Sequence, residues 1–90
     1  MPPPKLVDKI TGVQMSIPPL PPGVAAEASV LVPQVQAGDF AVVNFENPLP
    51  VQVVDSPPRT TPGELHFRFI NGGPAATESA LVFIDILLAR

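Results

Sequence analysis

The chain has 90 residues, of which 46% are hydrophobic and 14% charged, and its net charge is −3. That length makes one domain with a marginal core of its own. No cysteine is present to staple it, and one histidine is too few for a structural zinc site. The five basic residues, Lys5, Lys9, Arg59, Arg68 and Arg90, are scattered and outnumbered by eight acids. They give no basic stripe of the kind that binds nucleic acid. The longest apolar stretch, Ala80–Ile84 then Ile86–Ala89 around Asp85, is about half the length of a membrane-spanning helix. The start, Met1-Pro2-Pro3-Pro4-Lys5, has no apolar segment of the secretory kind, so no export signal is expected. So much apolar side chain on so short a chain predicts cover from another subunit.

Taken in order, residues 1–23 hold seven of the fourteen prolines. Proline fixes φ and lacks an amide donor, so this part is expected to run as an extended arm, with the sandwich domain occupying 24–90. Its first dozen residues are expected to be mobile alone and ordered on a target, with Pro2, Pro3, Pro4, Lys5, Leu6 and Val7 as the binding arm. Within it, Val13, Met15 and Ile17 alternate with Gln14 and Ser16, the period of a half-buried strand docking on a sheet edge or on a neighbouring subunit. Ile17-Pro18-Pro19-Leu20-Pro21-Pro22 has P-x-x-P spacing but no adjacent cation to orient it in a groove. It reads as a stiff lead-in to the domain.

From Val24 the pattern is strand, turn, strand. Ala28, Val30 and Val32 alternate up to Pro33, and Ala37-Gly38-Asp39 is a turn. Phe40–Phe45 is β-branched and aromatic, and Val51–Val54 is a short strand. Thr61-Pro62-Gly63-Glu64 carries proline and glycine where a type II turn needs them. Leu65, Phe67 and Phe69 then alternate with His66 and Arg68, the clearest half-buried strand in the chain. Asn71–Pro74 is a loop, Ala75–Ser79 has room for at most one helical turn, and Leu81–Leu88 is the last strand. The fold predicted is all-β, a β-sandwich or barrel-like domain of six to seven short strands.

Chemistry is sparse. His66 shares the polar face of its strand with Glu64 and Arg68 and reads as a member of a cross-strand ladder, since no nucleophile or orienting group accompanies it. The acids are dispersed one per segment, without the clustering of a carboxylate pair or calcium loop. Gly72-Gly73 lacks the Lys and Ser/Thr of a phosphate loop. The expectation is a non-enzymatic protein without metal or cofactor. Trp and Tyr are both absent, which weighs against a glycan platform.

The terminal strand carries two apolar faces. Leu81, Phe83, Asp85 and Leu87 share one; Val82, Ile84, Ile86 and Leu88 share the other. A sandwich strand needs only one, so the other is expected at an oligomer interface, placed here on Val82, Ile84, Ile86 and Leu88 together with Asp85. Asp85, an acid amid apolar neighbours, is expected to meet an arginine or accept backbone amides, unless it marks a solvent-facing strand edge.

The run Pro18-Pro19-Leu20-Pro21-Pro22-Gly23, then Val30-Leu31-Val32-Pro33-Gln34-Val35, Gly38-Asp39, Val42-Val43-Asn44 and Pro48-Leu49-Pro50, resembles small virion proteins of tailed bacteriophages. Among them the resemblance favours capsid decoration (cement) proteins, and it covers about residues 18–54. Phe67-Arg68-Phe69-Ile70-Asn71 resembles the family's penultimate strand, whereas the terminal strand departs from its pattern. The resemblance implies a homotrimer on the outer shell of the capsid that contacts the major capsid protein or another virion protein and is made in the host cytoplasm. A fibre, baseplate or adhesin module that binds a host surface is the other reading.

Overall fold

Among the described residues, proline and glycine punctuate the chain into seven strands, and every pairing between them is antiparallel. The computed structural model describes residues 5–55 and 57–90. The strands are β1 (Leu6–Ile17), β2 (Ala25–Leu31), β3 (Phe40–Phe45), β4 (Gln52–Val53), β5 (Arg59–Thr61), β6 (Glu64–Ile70) and β7 (Ala80–Ala89). Among the described residues there is no helix, and Ala75–Ser79 is irregular. One sheet has the order β1-β7-β3; in the other, β6 is flanked by β2 on one side and by β4 and β5 on the other. The all-β class expected from the pattern is what the chain adopts.

Period-two alternation builds the interior. Leu65, Phe67 and Phe69 of β6 are buried, as are Ala28 and Val30 of β2 beside them. Opposite them lie Val82, Ile84, Ile86 and Leu88 of β7 and Met15 and Ile17 of β1. Three rings lock the centre. Phe67 and Phe69 stack at 5.9 Å, and Phe45 meets both edge-on at 5.8 and 6.4 Å, in the offset and T-shaped geometries that aromatic quadrupoles favour.

Turn chemistry sets the registers. Pro62-Gly63 closes the β5–β6 hairpin with Gly63 at φ +78°, which fits the third position of the expected type II turn. Gly38 has φ +84° between Gln36 and Asp39, whose amide donates to the Gln36 carbonyl at 3.1 Å.

Two expectations are corrected. Residues 5–23 do not form a separate arm leading into a domain that begins at 24. Leu6–Ile17 is one 12-residue strand paired with β7 from Leu6 opposite Ala89 to Ile17 opposite Ala80. The prolines sit at 2–4 and 18–22, so the backbone between them keeps its donors and is free to join a ladder. Pro2, Pro3 and Pro4 lie outside the described residues. Lys5, Leu6 and Val7 belong to the body: Lys5 exchanges two backbone hydrogen bonds with Arg90, at 2.8 and 2.9 Å, and Leu6 opens β1.

The second correction concerns β7. Val82, Ile84, Ile86 and Leu88, expected at an oligomer interface, are at most 2% exposed inside the protomer. They belong to the same core as Leu65, Phe67 and Phe69 of β6, because the second sheet packs on this side of β7. The row left uncovered is the opposite one.

The proline-rich link between β1 and β2 is pinned from the far end of the chain. Asn71, 2% exposed, donates through its side-chain amide to the carbonyls of Leu20 at 3.0 Å and Ala75 at 2.8 Å, and its side-chain oxygen accepts from the Gly73 amide. Thr77 adds a backbone bond to the Leu20 carbonyl at 2.9 Å. Leu20 itself is thereby held in the core.

A candidate docking face on the three-stranded sheet

The two sheets present opposite characters to their surroundings. Outside β2-β6-β5 the side chains are mainly polar, with Leu31, 73% exposed at the end of β2, the apolar exception: Glu27 and Ser29 stand beside Arg68 and His66, with Arg59 across from His66. Arg59 reaches Glu27 at 4.0 Å. Outside β1-β7-β3 the row is apolar. Phe40 is 47% exposed, Val42 52%, Leu81 53%, Phe83 40% and Leu87 38%. Register makes them neighbours, because Phe40 lies opposite Ala89, Val42 opposite Leu87 and Gln14 opposite Phe83. Phe40, Val42 and Leu87 form one cluster and Leu81 and Phe83 another, with Asp85 and Asn44 between them. Together they leave on the order of 400 Å² of apolar surface on one face, within the range of the largest patches on single chains, which are often functional.

Charge punctuates this face at three points. Lys9 of β1 lies opposite Leu87. Asp85, on the same face of β7, lies opposite Asn44. Glu46 follows β3 and donates its amide to the Phe83 carbonyl at 2.9 Å. The Asp85 carboxylate beside Glu46 raises the Glu46 pKa above its ordinary value, with desolvation adding to the effect. Among the described residues, neither acid nor Lys9 takes part in an ion pair. A shallow depression of about 190 Å³ lies between them, lined by Lys9, Val42, Asn44, Asp85, Ile86 and Leu87.

Asp85 also has a local task. Between Ile10 and Val13, β1 carries one residue more than β7, a bulge in which Gly12 adopts φ +70°. Asp85 Oδ1 accepts the Gly12 amide at 3.1 Å. Of the partners expected for this carboxylate, backbone amide is the one it meets. The bulge leaves that amide out of the ladder, and the acid across from it supplies the acceptor.

On the other sheet, His66 stands in a small polar cluster. His66 Nε2 shares a hydrogen bond of 2.7 Å with the Thr61 hydroxyl and lies 3.5 Å from Glu64 Oε2. This is the expected cross-strand ladder, and His66 lines neither this depression nor a second one of about 170 Å³ beside β3, walled by Phe45, Phe67, Val53, Pro57 and Pro58. Among the described residues no three of His, Asp and Glu gather as a metal site would require. Among the described residues no helix is long and apolar enough to cross a membrane.

Of the proposed interface residues, only Asp85 lies on the open face. Phe40, Val42 and Lys9 were not singled out from sequence. Their signal was the exposed parity of β3 and β1, which becomes readable only once both strands are placed beside β7. Comparisons with protein-family models, with curated proteins and with solved structures gave no match.

Proposed function

We propose that this chain is a non-enzymatic assembly protein, and specifically a virion component of the capsid decoration type that binds the outer shell and stabilises neighbouring capsid subunits. The observation that supports the assembly reading is the contrast between the two outer faces, one mainly polar with Leu31 as its apolar exception, the other carrying five exposed large apolar residues on β3 and β7. A face of that kind gains stability when it is covered, by roughly 25 cal/mol for each Å² of apolar surface removed from water. The virion assignment rests on the sequence resemblance over residues 18–54. The segments carrying it form β2, β3 and the turns around them, which bring Asp39 and Phe40 to the end of the apolar face.

The test is particle association. Purified protein added to heads that lack it should sediment with them at a fixed number of copies per head and raise their resistance to heat or chelation. Absence of the chain from purified particles, or failure to bind heads at any concentration, would overturn the virion assignment.

A further inference from the structure

We propose that the outer face of β1-β7-β3 is covered by the same face of a second copy, related to the first by a two-fold axis running along β7. This deepens the assembly reading and is independent of the virion assignment.

The face is self-complementary. A two-fold axis along β7 keeps the position along the strands and exchanges left for right, so β1 of one copy lies over β3 of its mate. Leu87 and Phe83 then meet their own counterparts near the axis. Lys9, level with Leu87 and Val42, comes over Val42 of the mate, one strand repeat from Asn44. A lysine side chain spans roughly the 6–7 Å of two residues along a strand, so its ammonium reaches the level of the mate's Asn44, and the mate's Glu46, one repeat further on, extends back toward it with its own side chain. The contact occurs twice by symmetry. It supplies the cation that Asp85 and Glu46 lack within one chain and the anion that Lys9 lacks. Two antiparallel sheets packed face to face at about 10 Å accommodate such rows. A shell surface or any other partner would have to bring its own cation to the same place; the second copy already has one.

Size is adequate. Strands about 4.8 Å apart, of twelve residues in β1, ten in β7 and six in β3 at about 3.3 Å each, give a face of roughly 450 Å² in projection. Side-chain relief adds to this, placing it at the low end of the interface range, whose standard size is roughly 800 Å² per partner.

Sedimentation equilibrium on the full chain tests this. The expected mass at micromolar concentration is two chains. The double substitution Val42→Lys with Leu87→Lys changes only exposed side chains and should yield one chain with an unchanged β-sheet circular dichroism spectrum. As a second arm, Lys9→Glu should weaken the dimer by about tenfold or more through the two new repulsions, and adding Glu46→Lys should restore it. A wild type of one chain or three, a dimer indifferent to Val42→Lys with Leu87→Lys, or a Lys9→Glu loss that Glu46→Lys fails to rescue would overturn the proposal. Absence from particles bears on the virion assignment alone and leaves this result standing.

Discussion

Arg90, at the end of β7, donates through Nε to Asp39 Oδ1 at 2.7 Å and through Nη2 to Asp39 Oδ2 at 3.2 Å. The same guanidinium reaches the Gln34 carbonyl at 3.1 Å, and the Gln36 amide donates to Asp39 Oδ2. The turn before β3 is thus fastened to the end of the strand that β3 pairs with, and the Asp39 side chain is 2% exposed. The Arg90 hydrogen bond holds the Asp39 carboxyl below its ordinary pKa of 3.8, against the opposing pull of burial, and the Gln36 amide assists.

This latch has a pH signature. A carboxyl whose pKa is lower in the folded state contributes stability above its unfolded value, and that contribution fades as pH falls through the folded value. Wild-type Tm should therefore fall as pH drops below about 4. Arg90→Gln should lower Tm at neutral pH by several degrees and flatten the acid limb. An acid limb of equal steepness in Arg90→Gln would place the titrating carboxyl elsewhere.

Phe67→Ala should cost about 3–5 kcal/mol, since the ring is 1% exposed and its loss opens a cavity between Phe45 and Phe69. That approaches the whole stability expected of a domain this size. Urea unfolding measures it, and a loss below about 1 kcal/mol would mean that the sheets close over the gap.

Asn71→Ala should cost about 1–3 kcal/mol, because it strands the buried Leu20 carbonyl with only Thr77 and leaves Ala75 and Gly73 without their side-chain partner. Amide exchange should accelerate at Gly73 and Thr77 before it does in β6. Uniform acceleration across both sheets would show that Asn71 supports the whole fold and not this corner.

The strands were legible because their chemistry is local. Alternation named the buried rows of β2 and β6 and the inner parity of β1 near Met15 and Ile17, and Pro62-Gly63 named its turn. Two misjudgements share a different cause. Prolines at both ends of 1–23 suggested one extended arm, although the donors between them were intact. On β7 both faces are apolar, so parity gave two equivalent rows and no means of choosing between them. The choice is made by which side β6 lies on, a contact between residues far apart in sequence. Arg59–Thr61 was missed as a strand because three residues are too few for alternation to register. Asn71 read as loop chemistry, and its burial depends on Leu20, fifty-one residues away.

Asp85→Asn should bring Glu46 back down toward its ordinary pKa, because the largest cause of the upward shift is the Asp85 charge. A pH titration followed by carboxyl carbon NMR reads this directly. Glu46 would keep its raised value only if desolvation dominated. The same variant retains an acceptor for the Gly12 amide, so the bulge should survive it, whereas Asp85→Leu should cost about 1 kcal/mol through the lost hydrogen bond.

The two irregularities of β1, at Val7 and at Thr11-Gly12, fall along one border of the three-stranded sheet. An incoming strand needs an unbroken rank of amides and carbonyls at even spacing, and each extra residue puts that rank out of step while increasing the local twist. Stacking chain upon chain into an open-ended ribbon is thereby discouraged along this border. On this side of the sheet, contact through faces is favoured instead, and such contacts can close after a small whole number of copies and stop growing.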